Sequence, residues 1–161
     1  MTPVRVVTAA QAAERDARAI AAGTPSFALM QAAGRAAAAE LMRFAGDRAR
    51  EGVELYAGGG NNGGDAWVVA AVLAASGVPV RVREIEPPRT EDAQRAKANF
   101  AVPRADWQGK PGVVVDGLLG TGARGAPRGE IARACESIGA ARGGGACVVA
   151  LDVPSGLDAA T

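Results

Sequence analysis

Three carboxylates stand where a glycine-rich segment or an apolar run of the sequence ends. Asp65 closes the segment 57–65, Asp116 follows the apolar residues 113–115, and Asp152 follows the apolar residues 146–151. A carboxylate at the end of an apolar strand is costly unless it meets a partner, a cation or solvent in a cleft. Carboxylates in such a cleft can exchange protons with a bound ligand, so these residues are the first candidates for catalysis.

The segment 57–65 contains five glycines and two asparagines and lies between a strand-like run and a helical run. A glycine-rich turn at a helix start presents free backbone amides, which favours a phosphate group, although a tight turn without a ligand is an equally open interpretation. The glycines also satisfy G-x-G-x-x-G, with Glu84 placed to meet a ribose as in an NAD-dependent Rossmann oxidoreductase. Asn61, Asn62 and Asp65 argue against an oxidoreductase. The carboxylate of Asp65 in particular is unfavourable beside a pyrophosphate.

Composition narrows the functional classes. The 161 residues are 48% hydrophobic and 22% charged, which is typical of one globular domain. A net charge of +1 argues against a nucleic-acid partner, and no apolar run is long enough to span a membrane or act as a signal, so we expect a cytoplasmic protein. Histidine is absent, so proton transfer must use carboxylates, Tyr56, lysine or water. Cys135 and Cys147 read as reduced core residues.

The predicted elements that position the candidate carboxylates are alternating helices and apolar strands. We predict helices over 9–22 (capped by Thr8), 27–45 (capped by Ser26), 65–76, 91–100 and 129–141, and strands over 53–57, 79–85, 113–116 and 146–152. The first helix is predicted to bury an apolar stripe, Ala9, Ala13, Ala17 and Ile20. Apolar strands that alternate with helices predict an α/β fold, a Rossmann-like three-layer αβα sandwich with a mostly parallel sheet, in a single domain over 1–161.

In such a sheet, ligands bind at the carboxyl ends of the strands. Three loops that carry the glycine-rich motifs and the candidate carboxylates follow predicted strands there: 57–65, 116–129 and 152–158. Arg124 and Arg128 in the second loop are predicted to hold phosphate oxygens, with a solvated surface as the alternative.

Taken together, these motifs resemble the NAD(P)H-hydrate epimerase family, whose domain occurs alone or fused ahead of an ADP- or ATP-dependent NAD(P)H-hydrate dehydratase. The resemblance covers nearly the whole chain and is carried by residues 7–11, 29–30, 33–35, 60–65 (G-N-N-G-G-D), 115–116, 120–122, 128–130 and 152–158 (D-V-P-S-G-L-D). Ala32 and Ala66 depart from the residues usual in the family. The family continues past the third loop, so we expect 1–161 to be incomplete at its C-terminus, with an unpaired sheet edge.

The resemblance implies epimerisation of the R and S forms of hydrated NADH and NADPH. It implies a substrate site formed by Asn61, Asn62, Gly63, Gly64, Asp65, Gly120, Thr121, Gly122, Ala123, Arg124, Gly125, Ala126 and Asp152. It also implies a potassium ion held by Asn62, Asp116 and Ser155, a homodimer as one assembly, and a fused or separate NAD(P)H-hydrate dehydratase as partner.

For the general acid/base we choose Asp152, with Asp65 second because its helix-start position is expected to lower its proton affinity. Two alternatives to the epimerase stay open: the NAD-dependent Rossmann oxidoreductase and a non-catalytic nucleotide-binding module.

Overall fold

Four short parallel strands form one sheet in the computed structural model, which describes residues 7–100 and 109–157. They lie in the order β2-β1-β3-β4 and comprise β1 (Val53–Ala57), β2 (Val80–Glu84), β3 (Val113–Gly117) and β4 (Cys147–Ala150). β1 and β3 are central and fully buried, which is why both are apolar almost throughout. β2 is polar and exposed at its end, as suits an edge strand.

Helices connect and flank these strands, as the alternating pattern predicted. They are α1 (Ala9–Ala21), α2 (Ser26–Ala45), α3 (Asn61–Ala75), α4 (Glu91–Ala98) and α5 (Gly129–Gly143), with a 3₁₀ helix over Gly46–Glu51 that the sequence did not predict. The predicted α/β fold with a parallel sheet is therefore confirmed.

The most consequential difference from the prediction is the start of α3. The helix begins at Asn61, four residues before the predicted start at Asp65, and the Gly64 N–H already donates to the Gly60 carbonyl at 3.1 Å. Gly60 is the extended N-cap residue and no side chain caps the helix. The loop between β1 and α3 is thus only three glycines long; Asn61 to Gly64 form the first turn of the helix, and Asp65 begins the second.

Each face of the sheet has its own apolar core. Alternate side chains of β1 and β3 pack against α2 and α3 on one face, while Tyr56, Val114 and residues of α5 form the other. Outside the area covered by α5, charged side chains cover this second face. Buried Glu54 accepts hydrogen bonds from the Nε of Arg81 at 2.7 Å and the Nε of Arg83 at 2.5 Å. The sheet therefore has helices on both faces.

Strand order locates the place where the chain changes direction. From β1 the chain passes to β2 on one side, and from β3 it passes to β4 on the other. The loops that leave the carboxyl ends of adjacent strands β1 and β3 therefore diverge and open a crevice, which is where open α/β sheets bind ligands. Residues 58–60 and the loop after β3 form this crevice.

Some local predictions were wrong. No residue of α1 is buried against the described part of the chain, and Ile20 is 46% exposed, because this helix makes little contact with α2. Ser26 is the first residue of α2 rather than its cap, since Pro25 occupies that position. By contrast, Cys135 and Cys147 are free thiols, as predicted, and pack half-buried against the two cores. Within those residues, no helix has both the length and the apolar character to cross a membrane.

Close packing of α2 on α3 depends on Gly34. A Cβ atom there would lie 2.6 Å from the Val68 Cβ, so Gly34→Ala must push the two helices apart. We expect the free energy of unfolding, measured by urea denaturation, to fall by about 1–3 kcal/mol. Gly139→Ala on α5 is the matched control: nothing lies within 4 Å of its added methyl, and helix propensity predicts a gain of about 0.5–1 kcal/mol. Equal effects of the two substitutions would contradict this account.

Candidate active site

A buried carboxylate joins the loop after β3 to the loop after β4. Asp116, only 6% exposed, accepts from the Ser155 hydroxyl at 2.7 Å, the Ser155 N–H at 2.8 Å and the Leu118 N–H at 3.1 Å. The Ser155 hydroxyl in turn accepts from the Leu119 N–H at 3.0 Å. Three donors explain how a carboxylate is tolerated at the end of an apolar strand.

Asn62 reaches the same place from the first turn of α3. Its side-chain N–H donates to the Leu119 carbonyl at 3.0 Å, and the residue is only 8% exposed. Its Oδ1 is buried without a hydrogen-bond partner among the described residues. Buried side-chain oxygens are rarely left unpaired, so this atom points to a bound donor or cation.

Asp152 occupies the far wall of the crevice in a strained backbone conformation. Its φ is +64°, which is rare for a residue with a Cβ and is typical of functional sites. Its Oδ2 accepts from the Thr121 N–H at 2.7 Å. Gly120 is required here, because a Cβ at that position would lie 2.8 Å from the same oxygen and 3.4 Å from the Asn62 Cβ. Asp152 and Asn62 therefore meet across Gly120.

Asp65 completes the group as a partly buried carboxyl. Burial, and then the negative charges of Asp152 and Asp16, raise the pKa of Asp65 to about 7. The expectation that a helix-start position lowers its proton affinity was wrong, because Asp65 is the fifth residue of α3 and the loss of solvent outweighs the helix dipole. Asp65 thus changes protonation near neutral pH, as an acid/base group should.

The predicted substrate loop after β3 lines a cavity. About 260 Å³ of space lies between this loop and the loop after β4, lined by Leu119, Gly120, Ala123, Gly125, Ala126, Val153, Pro154, Ser155, Gly156 and Leu157. Gly122 and Arg124 are exposed, and the Arg124 guanidinium donates to the Thr121 and Ala123 carbonyls of its own loop. Arg128 is exposed at the N-cap of α5, and Asp158 lies outside the described residues.

The remaining predicted residues divide between packing and the cleft. Gly63 and Gly64 are buried: a Cβ at Gly63 would overlap the Gly58 carbonyl, and one at Gly64 would lie 2.6 Å from the Met30 Cε. Both therefore serve close packing inside the fold. Asn61 is exposed, and its Oδ1 accepts from the Thr90 hydroxyl at 2.7 Å.

The contact of Asn61 with Thr90 shows that sequence reasoning missed a fourth loop. The loop after β2, residues 85–90, lies against the glycine turn, and its Arg89 N–H donates to the Gly59 carbonyl at 2.7 Å. The signal was present in the sequence, since this loop also follows the carboxyl end of a strand.

The pKa of Asp65 makes stability depend on pH. In the unfolded chain this carboxyl ionises near its ordinary pKa of 3.8, so between pH 4 and 7 the folded state binds more protons and stability falls as pH rises. The fall is at most about 4 kcal/mol at 1.36 kcal/mol per pKa unit, and smaller where water reaches the group. Asp65→Asn should remove this component, measured by urea denaturation at several pH values. The exposed Asp47→Asn should keep the wild-type profile, and an unchanged profile in Asp65→Asn would refute the assignment.

Comparison with known proteins gives this arrangement a context. The family described as YjeF-related protein N-terminus matches residues 26–161. A NAD(P)H-hydrate epimerase of Pirellula staleyi is 34% identical over 161 residues, covering 84% of this chain and 65% of that protein. A bifunctional NAD(P)H-hydrate repair enzyme Nnr of Hyperthermus butylicus is 36% identical over 172 residues, covering 98% of this chain and 31% of that enzyme. The chain thus spans about two thirds of one relative and a third of the other.

The fold has a counterpart of known structure. The crystal structure of yeast ynu0, YNL200c, superimposes with a TM-score of 0.76 at 25% identity, covering 96% of this chain and 72% of the yeast chain. Since the family match takes in most of the chain, including the residues of the crevice, the resemblance drawn from the sequence is confirmed: the chain belongs to the YjeF-related N-terminal family, whose relatives include proteins named NAD(P)H-hydrate epimerase.

Proposed function

We propose that the chain epimerises the R and S forms of hydrated NADH and NADPH. One observation supports this most directly: two carboxylates, Asp65 and Asp152, are close enough for the charge of one to raise the pKa of the other, in a crevice at the carboxyl edge of the sheet. The relatives named NAD(P)H-hydrate epimerase agree with this activity.

The reaction needs two proton transfers: one to the hydroxyl oxygen that leaves, and one from the water that adds to the same carbon. In the hydrated ring, the hydroxyl-bearing carbon adjoins the ring nitrogen, so protonation of the hydroxyl breaks the C–O bond and releases water while the nitrogen lone pair forms a C=N bond. Water then adds to the opposite face and gives up a proton. Asp65, protonated below about pH 7, is suited to donate the first proton, and Asp152 to accept the second. Their negative charge also favours the cationic intermediate.

The two alternative functions have less support. In a Rossmann oxidoreductase Glu84 would accept from the ribose, whereas here its Oε2 is paired with the Lys97 Nζ at 2.5 Å. Hydride transfer by an oxidoreductase also does not require the two interacting carboxylates, Asp65 and Asp152, that this crevice contains. A non-catalytic module leaves the raised pKa of Asp65 without a role.

The unpaired oxygen of Asn62 supports a potassium ion at the start of α3. The donor set proposed for it consists of Asn62 Oδ1, Asp116 and Ser155, whose amide, carboxylate and hydroxyl oxygens suit a hard monovalent cation. Asp116 keeps capacity for a ligand, because within residues 7–100 and 109–157 its Oδ2 accepts one hydrogen bond, from the Ser155 N–H. When bound, such an ion would supply positive charge that holds the loops and the phosphates of the substrate in place.

We also propose NAD(P)H-hydrate dehydratase as the functional partner, because several relatives are named bifunctional NAD(P)H-hydrate repair enzymes. An epimerase supplies whichever epimer the dehydratase consumes. A homodimer and a cytoplasmic location remain predictions from the sequence.

The activity is tested with a mixture of the two hydrated NADH epimers, depleted in one and followed by chromatography. The wild-type chain should restore the epimer equilibrium without any change in reduced-cofactor absorbance. Asp152→Asn should lower the rate by at least about 100-fold, since a general acid/base contributes roughly 10²–10⁴-fold. Asp47→Asn, an exposed carboxylate far from the crevice in sequence, is the control and should keep the wild-type rate. Equal rates in Asp152→Asn and wild type would sink the assignment.

Potassium is tested through stability. A site with a dissociation constant of about 10 mM would add about 1.4 kcal/mol to the free energy of unfolding in about 100 mM potassium. Unfolding midpoints should therefore be higher in potassium chloride than in sodium chloride at equal ionic strength, and Asn62→Ala should abolish the difference. Asn61→Ala, its exposed neighbour, should retain it. Identical midpoints of the wild-type chain in the two salts would argue against the ion.

A further inference from the structure

We propose that the guanidinium of Arg89 binds a phosphate group of the dinucleotide. This inference rests on the proposed function and identifies the phosphate contact on the β2 side of the crevice. Arg89 lies in the loop after β2, which the sequence motifs of the family resemblance do not include. The ligand class is a phosphate ester of a dinucleotide, from either the diphosphate bridge or a 2′-phosphate on the ribose.

Three hydrogen bonds hold the loop after β2 against the glycine turn. The Ile85 N–H donates to the Ala57 carbonyl at 2.9 Å, and the Arg89 N–H donates to the Gly59 carbonyl at 2.7 Å. The Thr90 hydroxyl then donates to Asn61 Oδ1 at 2.7 Å, at the first residue of α3. The position of Arg89 relative to the glycine turn is therefore set along the whole length of the loop.

The guanidinium occupies the space that a side chain at residue 59 would need. A Cβ on Gly59 would lie 2.9 Å from the Pro87 carbonyl oxygen, 3.0 Å from the Arg89 Cζ and 3.1 Å from its Nη1, so both the backbone of the loop after β2 and the guanidinium need a glycine here. Glycine at this position thus allows a cation to lie directly on the turn that precedes the uncapped N-terminus of α3.

The present partner of Arg89 is one that a phosphate can replace. Nη1 contacts Glu86 Oε2 at 2.6 Å, with the two side chains 66% and 33% exposed. Exposed pairs three residues apart contribute little to stability, whereas an arginine can hold a phosphate with two charge-assisted hydrogen bonds. The other N–H groups of this guanidinium make no hydrogen bond to the described residues, so a phosphate that displaces Glu86 can bind to them as well.

The location also suits the length of the substrate. Arg89 follows β2 and Asp152 follows β4, at opposite ends of the strand order. Three inter-strand spacings of about 4.8 Å separate these strands by about 14 Å, a span that an extended dinucleotide can bridge. When the reacting ring lies at Asp65 and Asp152, the phosphates of the dinucleotide extend toward Arg89.

Binding of NAD⁺ and NADP⁺, measured by isothermal titration calorimetry, tests the proposal. Arg89→Gln should weaken binding by about tenfold or more, and Glu86→Gln should strengthen it, because the guanidinium loses its competitor. A purely structural role of Arg89 would not predict that gain. The control is Arg43→Gln, which breaks a similar exposed pair with Glu40 on α2 (2.7 Å; 73% and 67% exposed) and should leave both affinities unchanged.

The two cofactors distinguish the source of the phosphate. Equal losses for NAD⁺ and NADP⁺ in Arg89→Gln assign the diphosphate bridge, and a loss confined to NADP⁺ assigns the 2′-phosphate; both outcomes support the contact. Wild-type affinities in Arg89→Gln, or no binding of either cofactor to the wild-type chain, would overturn it. The epimer assay is separate: a chain without epimerase activity that still binds NADP⁺ through Arg89 would refute the proposed function and leave this inference standing.

Discussion

The interaction on which the site depends is the buried contact between Asp116 and Ser155. A single carboxylate at the end of β3 accepts from a backbone and a side-chain group of the loop after β4, and from the N–H of Leu118 in its own loop. Because unpaired buried carboxylates are expensive, these contacts fix both loops together. This contact fixes the position of Asp152, which lies three residues before Ser155. It thereby also places the Asp152 carboxylate where it accepts the hydrogen bond from the Thr121 N–H.

Around the contact between Asp116 and Ser155, the aspartates of the crevice differ in their surroundings. Asp116 is buried and accepts three hydrogen bonds, Asp152 is exposed and accepts from the Thr121 N–H, and Asp65 is partly buried and close enough to Asp152 to feel its charge. Three aspartates in one crevice therefore have three different surroundings, and one of them, Asp65, has a pKa of about 7. A carboxyl group that changes protonation near neutral pH, beside a second carboxylate, suits the reversible loss and return of water that we propose.

Much of the fold was accessible from periodicity and turn chemistry. Apolar runs and, for β2, an alternating pattern identified the four strands, and glycines with capping residues identified most helix ends, as with Thr8 before α1. The errors have tertiary causes. α3 starts at Asn61 because the close approach of Gly63 to Gly58 and of Gly64 to Met30 stabilises a helical turn that local propensity disfavours. The small apolar stripe of α1 predicted burial, but burial requires a neighbouring surface, which a pattern alone cannot supply.

By itself the sequence determined which residues lie at the carboxyl edge of the sheet, since Asp116 near the end of β3 and Asp152 two residues after β4 are placed there by the strands that precede them. It also determined the family, through the order and spacing of its motifs. Only the tertiary structure decided the protonation of Asp65, the unpaired oxygen of Asn62 and the approach of Arg89 to Gly59. These depend on distances between segments remote in sequence, and on how far each group is removed from water, which spacing along the chain does not specify.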